Sequence, residues 1–378
     1  MRLLIAPDSF KGTLSATEIC EIIQQELGED FEIMAHPLAD GGEGSLEAIA
    51  ANLPHHQWIS LRVMGPLPEQ IVTAQYLWLA ESQTAFVEMA QTSGLTLLKP
   101  ADYNPELTTT YGTGELMLDA INRGAKQIYL AIGGSATNDA GLGCLMALGW
   151  QFLDAVGESI GYGGQGLVKL ARWVPPPGLV LPPITVLCDV TNPLYGANGA
   201  AYVYAPQKGA DRPMVERLDQ GLRHLAQIVQ QRETLDLNFP GAGAAGGFGA
   251  GAKWGLKAKL ESGFSAIAQL TQLSKKIQDC DYVITGEGKL DEQSLQGKVI
   301  AGVRELAQKY DRPLILLCGS AELTLSHPKL SIITLVGPDF ALADCLNNPQ
   351  KVLRDRCQAI KQIRSVERRK KVKKISNN

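Results

Sequence analysis

The sequence predicts an α/β protein: a doubly wound parallel sheet assembled from both chain ends, with a second domain inserted between them. Three observations predict it. Short apolar runs alternate with helix-patterned segments near both ends, as parallel βαβ units require. The middle of the chain has a different texture, with alternating, hairpin-like strands and proline-rich joints. Finally, five strand ends run into polar, glycine-rich loops, where parallel sheets collect their ligands.

Residues Arg2-Leu3-Leu4-Ile5-Ala6 form the first predicted strand, followed by the polar loop Pro7-Asp8-Ser9-Phe10-Lys11-Gly12. Ser15-Ala16-Thr17-Glu18 then has the pattern of a capping box and predicts a helix start. Its apolar residues Ala16, Ile19, Cys20, Ile22, Ile23 and Leu27 share one face. Phe31 to Ala35 reads as a second strand, followed by the loop Asp40-Gly41-Gly42-Glu43-Gly44 and another helix.

The pattern returns near the C-terminus. Asp281 to Thr285 reads as a strand, Gly286-Glu287-Gly288 as a loop and Glu292 to Lys309 as a helix. Pro313 to Cys318 and Ser331 to Val336 are further strands, and Pro349 to Ile363 a closing helix. Between them lie the antiparallel pieces Trp58 to Val63, Ile71 to Leu79 and Ala85 to Met89, then strands at Gln127 to Ile132 and Ile184 to Cys188. The resulting division is 1–55 with 272–366, an insert at 56–271 crossed into twice, and a basic tail at 367–378.

Composition narrows the function. Of 378 residues, 45% are hydrophobic and 20% charged, which excludes a mainly disordered chain or a coiled coil. No apolar run reaches the ~18 residues of a membrane span. Seven cysteines without a CxxC pair argue against a disulfide framework or a cysteine zinc site, and fit a reducing cytoplasm. Net charge is −4, yet the stretch from Val366 to Asn378 has six Lys or Arg and one Glu, leaving −9 for the rest. An acidic body repels phosphate polymers, so small molecules rather than nucleic acid or membrane are the expected partners.

The five loops carry the chemistry. They are Asp8 to Gly12, Asp40 to Gly44, Gly133-Gly134-Ser135-Ala136-Thr137-Asn138-Asp139, Asp189-Val190-Thr191-Asn192-Pro193 and Gly286-Glu287-Gly288-Lys289-Leu290-Asp291. Glycines let bare N–H groups approach an anion, and carboxylates beside them hold Mg²⁺ or accept a proton. Two motifs compete. Gly241-Ala242-Gly243-Ala244-Ala245-Gly246 satisfies GxGxxG, but Leu237 to Pro240 is a poor strand. Its only acid at the required distance, Glu261, lies in Lys257-Ala258-Lys259-Leu260-Glu261, which reads as helical. Gly297-Lys298 lacks the rest of a P-loop. Cys144 and Cys188 have no base near them in sequence and read as structural.

Several of these runs resemble the signatures of the bacterial glycerate kinase family, type I. They are Ala6 to Ala16, Pro37 to Gly44, Thr110-Tyr111-Gly112-Thr113-Gly114-Glu115, Ile132 to Asp139 and Cys188 to Leu194. Pro206-Gln207-Lys208-Gly209-Ala210, Pro240 to Gly251 and Ile284 to Asp291 complete the set. The resemblance implies a flavodoxin-like domain with a second α/β domain inserted. It also implies transfer of the γ-phosphoryl of ATP to D-glycerate with Mg²⁺, 2-phosphoglycerate being the favoured product. Within that reading Lys11 and the amides of Gly41, Gly42, Gly133 and Gly134 hold phosphate or carboxylate oxygens. Asp189 and Asp40 are the expected metal ligands or proton acceptors, and Asp291 is third. Asp8, Ser9, Glu43, Ser135, Asn138, Asp139, Asn192, Gly286 and Glu287 complete the expected binding set. These loops are expected to meet in one cleft. A nicotinamide-dependent hydroxy-acid oxidoreductase, a kinase of another small sugar acid and a non-catalytic sugar-acid binder are the alternatives. A homo-oligomer is compatible with the sequence.

Overall fold

The computed structural model describes residues 1–292, 294, 299–323, 325 and 327–361. The expected basic tail, Gly297-Lys298 and the last two residues of the closing helix lie outside them. Thirteen strands run through the described residues. They are β1 (Arg2–Ile5), β2 (Glu32–Ala35), β3 (His56–Met64), β4 (Ile71–Leu79), β5 (Thr84–Glu88), β6 (Gln127–Ala131) and β7 (Gln151–Leu153). The remainder are β8 (Arg172–Val174), β9 (Ile184–Leu187), β10 (Lys259–Glu261), β11 (Tyr282–Leu290), β12 (Leu314–Ala321) and β13 (Leu330–Thr334).

The chain divides into two compact units. The first holds Met1–Asp40, Glu47–Leu53 and the described residues from Phe264 onward. Its sheet is wholly parallel, in the order β13-β12-β11-β1-β2. Counted within this sheet alone, that is the 2-1-3-4-5 order of the flavodoxin-like fold. Ser15 caps the helix Ala16–Leu27 through a complete capping box with Glu18, and the six apolar residues expected on its inner face are all buried. All of them but Ala16 pack with Leu3, Ile5, Tyr282 and Ile284, and with Val352, Leu353, Cys357 and Ile360 of the helix over 349–361. Strand side chains alternate between faces. Buried Leu4, Val283 and Leu316 therefore line the other face, where the helices Leu273–Asp279 and Val299–Lys309 pack.

The second unit holds Gly41–Leu46 and Pro54–Gly263. Its six-stranded sheet runs β10-β9-β6-β5-β4-β3. β3, β4 and β5 are antiparallel neighbours, whereas β5, β6, β9 and β10 pair in parallel. Ala85 to Met89, expected only as an antiparallel piece, is thus the strand where the sheet changes sense. Around it the helices Tyr111–Asn122, Arg212–Glu233 and Ala244–Gly255 enclose a core containing Tyr76, Phe152, Phe248 and Trp254.

Three features differ from the sequence reading. The chain passes between the units four times, not twice, because Gly41–Leu46 belongs to the second unit. Lys257 to Glu261 is not helical. Lys257 has φ 53°, and Lys259–Glu261 instead form β10, paired with Thr185–Leu187 at the sheet edge. Every residue there favours helix locally, and strand pairing overrides that weak preference. Gly286-Glu287-Gly288 is not a loop: β11 continues to Leu290, paired with β12. A Cβ on Gly286 would lie 1.8 Å from the Leu317 carbonyl oxygen, so its glycine serves close strand approach.

Candidate active site

In the first unit, the loop after β1 stays extended beside β11. Ala6 N–H donates to the Ile284 carbonyl at 2.7 Å and Asp8 N–H to Gly286 at 2.9 Å. It then closes a tight turn in which Phe10 and Leu14 exchange backbone hydrogen bonds and Gly12 takes φ 79°. That turn carries Lys11 at its tip. The loop after β2 is tied alongside, Leu38 N–H donating to Pro7 at 2.9 Å. The result is an ion pair, Lys11 Nζ to Asp40 Oδ2 at 3.3 Å.

Asp8 sits behind that pair, almost fully buried. Burial, then the Asp40 charge, pushes its carboxyl pKa up to about 7, with a smaller push from Glu287. Lys11 and the Ser9 amide, which donates to Asp8 Oδ1 at 2.7 Å, pull the other way. Lys11 in turn is held above its ordinary value, chiefly by Asp40. Three carboxylates around one ammonium leave an excess of negative charge. That excess is what raises the proton affinity of Asp8.

In the second unit, several loops gather at the carboxyl ends of β5, β6 and β9. Gly133 N–H donates to the Gly41 carbonyl at 3.1 Å, and a Cβ on Gly133 would come within 2.4 Å of Gly42 Cα. The Gly133 amide is therefore used inside the protein, contrary to its expected role as an anion donor. Glu88, at the end of β5, accepts from Gly44 N–H at 3.3 Å and Leu46 N–H at 3.2 Å. Ser45 Oγ donates to the Gly42 carbonyl at 2.6 Å. Gly41 also packs over Leu187, two residues before Asp189. Gly134 and Glu43 are exposed.

The loop after β6 is knitted from within. Asp139 accepts from Thr110 N–H and Oγ1, both at 2.8 Å, from Gly141 N–H at 3.0 Å and from Gly143 N–H at 3.2 Å. Burial still holds its pKa above the usual carboxylate range, those hydrogen bonds opposing. Its carboxylate thus organises the loop rather than facing a ligand. Asn138 is buried, and among the described residues neither end of its side chain, Oδ1 or Nδ2, has a hydrogen-bond partner; Thr137 Oγ1 is in the same position. Ser135 Oγ accepts from Lys208 Nζ at 2.8 Å.

Of the other expected residues, Asp189 is half-buried and its Oδ1 accepts from Gly263 N–H at 3.1 Å. Asn192 bridges Tyr204 Oη at 2.6 Å and the Asn198 carbonyl at 2.9 Å, which makes it a loop brace. Asp291 closes a small turn with Ser294, whose Oγ receives the Asp291 amide at 2.9 Å. The structure therefore brings Asp8, Lys11, Asp40 and Glu287 together in one unit. It brings Gly41 to Gly44 and Gly133 together in the other.

Sequence reasoning missed Glu88 and Lys208. The signal for Glu88 was an acid ending an apolar strand. Lys208 lay in a motif, Pro206 to Ala210, to which no role was attached. Among the described residues no helix is long and apolar enough to cross a membrane, and no ready-made cluster of three or more His, Cys, Asp or Glu side chains could cage a metal. The GxGxxG segment follows no strand, and its glycines are packing positions. A Cβ on Gly243 would lie 2.2 Å from the Pro193 carbonyl oxygen, and one on Gly246 2.0 Å from that of Thr137.

An uncharacterized protein of Synechocystis sp. is 59% identical over 363 residues, spanning 96% of this chain and 98% of its own. The glycerate 2-kinase of Escherichia coli is 44% identical over 330 residues, 85% of each chain. A Salmonella typhimurium protein, whose crystal structure carries a provisional assignment as glycerate kinase 2, superposes with a TM-score of 0.79 at 39% identity. That match covers 97% of this chain and 99% of the other. Residues 3–365 match the glycerate kinase family. The chain belongs to the glycerate kinase family.

Proposed function

We infer that the protein is an ATP-dependent glycerate kinase that moves the γ-phosphoryl group of ATP to a hydroxyl of D-glycerate. One observation carries the reading: the Asp8, Lys11, Asp40 and Glu287 group lies in a chain matched from residue 3 to 365 by the glycerate kinase family. The likeness to a glycerate 2-kinase favours 2-phosphoglycerate as product.

Phosphoryl transfer asks mainly for positioning and charge neutralisation. Lys11, exposed at its loop tip, offers a point charge to phosphate oxygens. Asp8, with a proton affinity near neutrality, is suited to take the proton of the attacking hydroxyl. Asp40 and Glu287 would hold Mg²⁺. That cation ordinarily binds through one or two carboxylates plus the phosphates, so a preformed protein cage is not required. When bound, it neutralises charge on the transferring group. Asp189 remains a second proton acceptor or metal ligand by proposal, and Asp291 a third.

The proposed partner is a small organic acid rather than a nucleic acid or membrane. We place the reaction in the cytoplasm, where ATP is available and the seven free cysteines stay reduced. The oxidoreductase reading loses its dinucleotide motif to the packing role of Gly243 and Gly246. The test is ³¹P NMR of the product with Mg-ATP and D-glycerate, glucarate or related acids. A phosphomonoester on the 2-hydroxyl of glycerate, with ADP released, is expected. Phosphorylation of another acid alone, or binding without turnover, overturns the reading.

A further inference from the structure

We propose that Lys208 is a positioning residue that turns the Ser135 hydroxyl into an anchor for the carboxylate of the organic-acid substrate. This deepens the glycerate kinase reading and rests on it.

Lys208 is only 2% exposed, and its Nζ donates to Ser135 Oγ at 2.8 Å and to the Thr137 carbonyl at 2.7 Å. Both acceptors are neutral. Among the described residues no carboxylate forms an ion pair with this ammonium, and its third hydrogen has no partner. The opposing charge nearby is Asp139, whose oxygens are occupied by Thr110, Gly141 and Gly143. A buried ammonium without a contact counter-ion is costly, and burial lowers its pKa to about 7. A purely structural site would be filled more cheaply by an apolar side chain.

The consequence falls on Ser135. A hydroxyl has one hydrogen and two lone pairs. Once its oxygen accepts from Lys208, its hydrogen must point elsewhere, and among the described residues nothing accepts it. The cation behind it strengthens that donor. The hydroxyl is also held in place on both sides. Leu95 N–H donates to Gly134 at 2.9 Å, Ala136 N–H donates to Ser93 at 2.8 Å, and Thr108 Oγ1 donates to Ala136 at 2.8 Å. Exposed Gly134 precedes it and adds no side chain of its own beside Ser135. Two residues on, Thr137 Oγ1 and both side-chain ends of Asn138 are buried with no partner among the described residues, a second sign that this loop is built for a polar ligand.

The charge balance selects a monoanion. One ammonium partly offset by Asp139 matches a single carboxylate and is poorly suited to a triphosphate, which needs several cations and amides.

The test is calorimetric binding of D-glycerate and, separately, of Mg-ATP to the full chain, to Ser135→Ala, to Lys208→Met and to the double variant. Each single change is expected to weaken D-glycerate at least ~10-fold, as loss of a hydrogen bond to a charged group does, and Mg-ATP by less than about twofold. The double variant is expected to be no weaker than the weaker single one, because the two residues act as one donor. Neutral D-glyceramide should bind Ser135→Ala and wild type alike. Glycerate affinity unchanged in folded variants, losses that multiply in the double variant, or a loss confined to Mg-ATP would each overturn the proposal. If Lys208→Met does not fold, the smaller Ser135→Ala change decides alone. Wild-type protein that binds no glycerate defeats the functional reading itself; wild-type binding with unaffected variants defeats only this inference.

Discussion

Lys11 Nζ lies 3.3 Å from Asp40 Oδ2, joining the loops that follow two neighbouring strands of the first unit. The lysine side chain is 72% exposed and the aspartate 16%. A pair whose lysine is this exposed contributes at most ~1 kcal/mol to stability, so the prediction rests on the proposed role of Lys11 toward phosphate. Lys11→Met is expected to lower kcat/KM for Mg-ATP by about 100-fold or more while moving the melting temperature by no more than a few degrees. Steady-state kinetics beside a thermal melt decide it; a collapse in stability with kinetics intact would show the pair to be a brace.

Asp8 makes a prediction in pH. Its carboxyl holds a proton up to about pH 7 in the folded chain, against an ordinary value of 3.8. The folded state therefore binds more protons than the unfolded state between those values, so the contribution is full below about 4 and lost as pH rises through 7. In metal-free buffer, Asp8→Asn should remove that decline. The difference between wild-type and variant unfolding free energies should grow from pH 4 to 7. The same variant should lose at least ~100-fold in kcat if Asp8 accepts the hydroxyl proton.

His36 has the opposite sign. Lys276 Nζ donates to its Nδ1 at 2.7 Å, which leaves the hydrogen on Nε2 to face Thr271 Oγ1 at 2.9 Å. Burial, aided by the Lys276 charge, lowers its pKa from 6.5 to about 3. The neutral ring stabilises the fold above 6.5, and that contribution is lost as pH falls toward 3. Urea unfolding of His36→Gln should show a shallower decline than wild type between pH 6.5 and 4. Parallel curves would mean the ring stays solvated.

Asp139 is expected to matter for folding before chemistry. Asp139→Ala would leave the donors from Thr110, Gly141 and Gly143 buried without an acceptor. A loss of about 3–5 kcal/mol is expected, because a buried network with one member removed pays each remaining group's desolvation. A urea midpoint within ~0.2 M of wild type would contradict it.

Local signals were easy to read and distant ones were not. Ser15 and Glu18 announce the first helix because a capping box lies within four residues, and the six inner-face positions follow from its period. That both chain ends share one doubly wound parallel sheet was legible from their apolar runs, but the strand order was not. Lys257 to Glu261 misled because its composition favours a helix and only the neighbouring Thr185–Leu187 makes it a strand. Gly286 misled because a glycine in a loop and a glycine beneath a neighbouring carbonyl look the same in one dimension. Asp8 and Lys11 were recognisable as polar residues after a strand. Lys208 was not, since a lysine in a loop ordinarily points to solvent and its burial depends on residues some seventy positions earlier.

The first sheet depends on partners from opposite ends of the chain: Thr285 Oγ1 donates to the Ala6 carbonyl at 2.6 Å across 279 residues. During synthesis β1 and β2 therefore leave the ribosome long before β11 exists, and until then β1 exposes an open edge. The inserted unit, complete by Gly263, is expected to fold ahead of the unit whose segments flank it in the chain. A nascent chain stalled near residue 263 would then expose the β1 edge to chaperones, and limited proteolysis of such chains should cut before Gly41 while sparing the segment from Pro54 to Gly263.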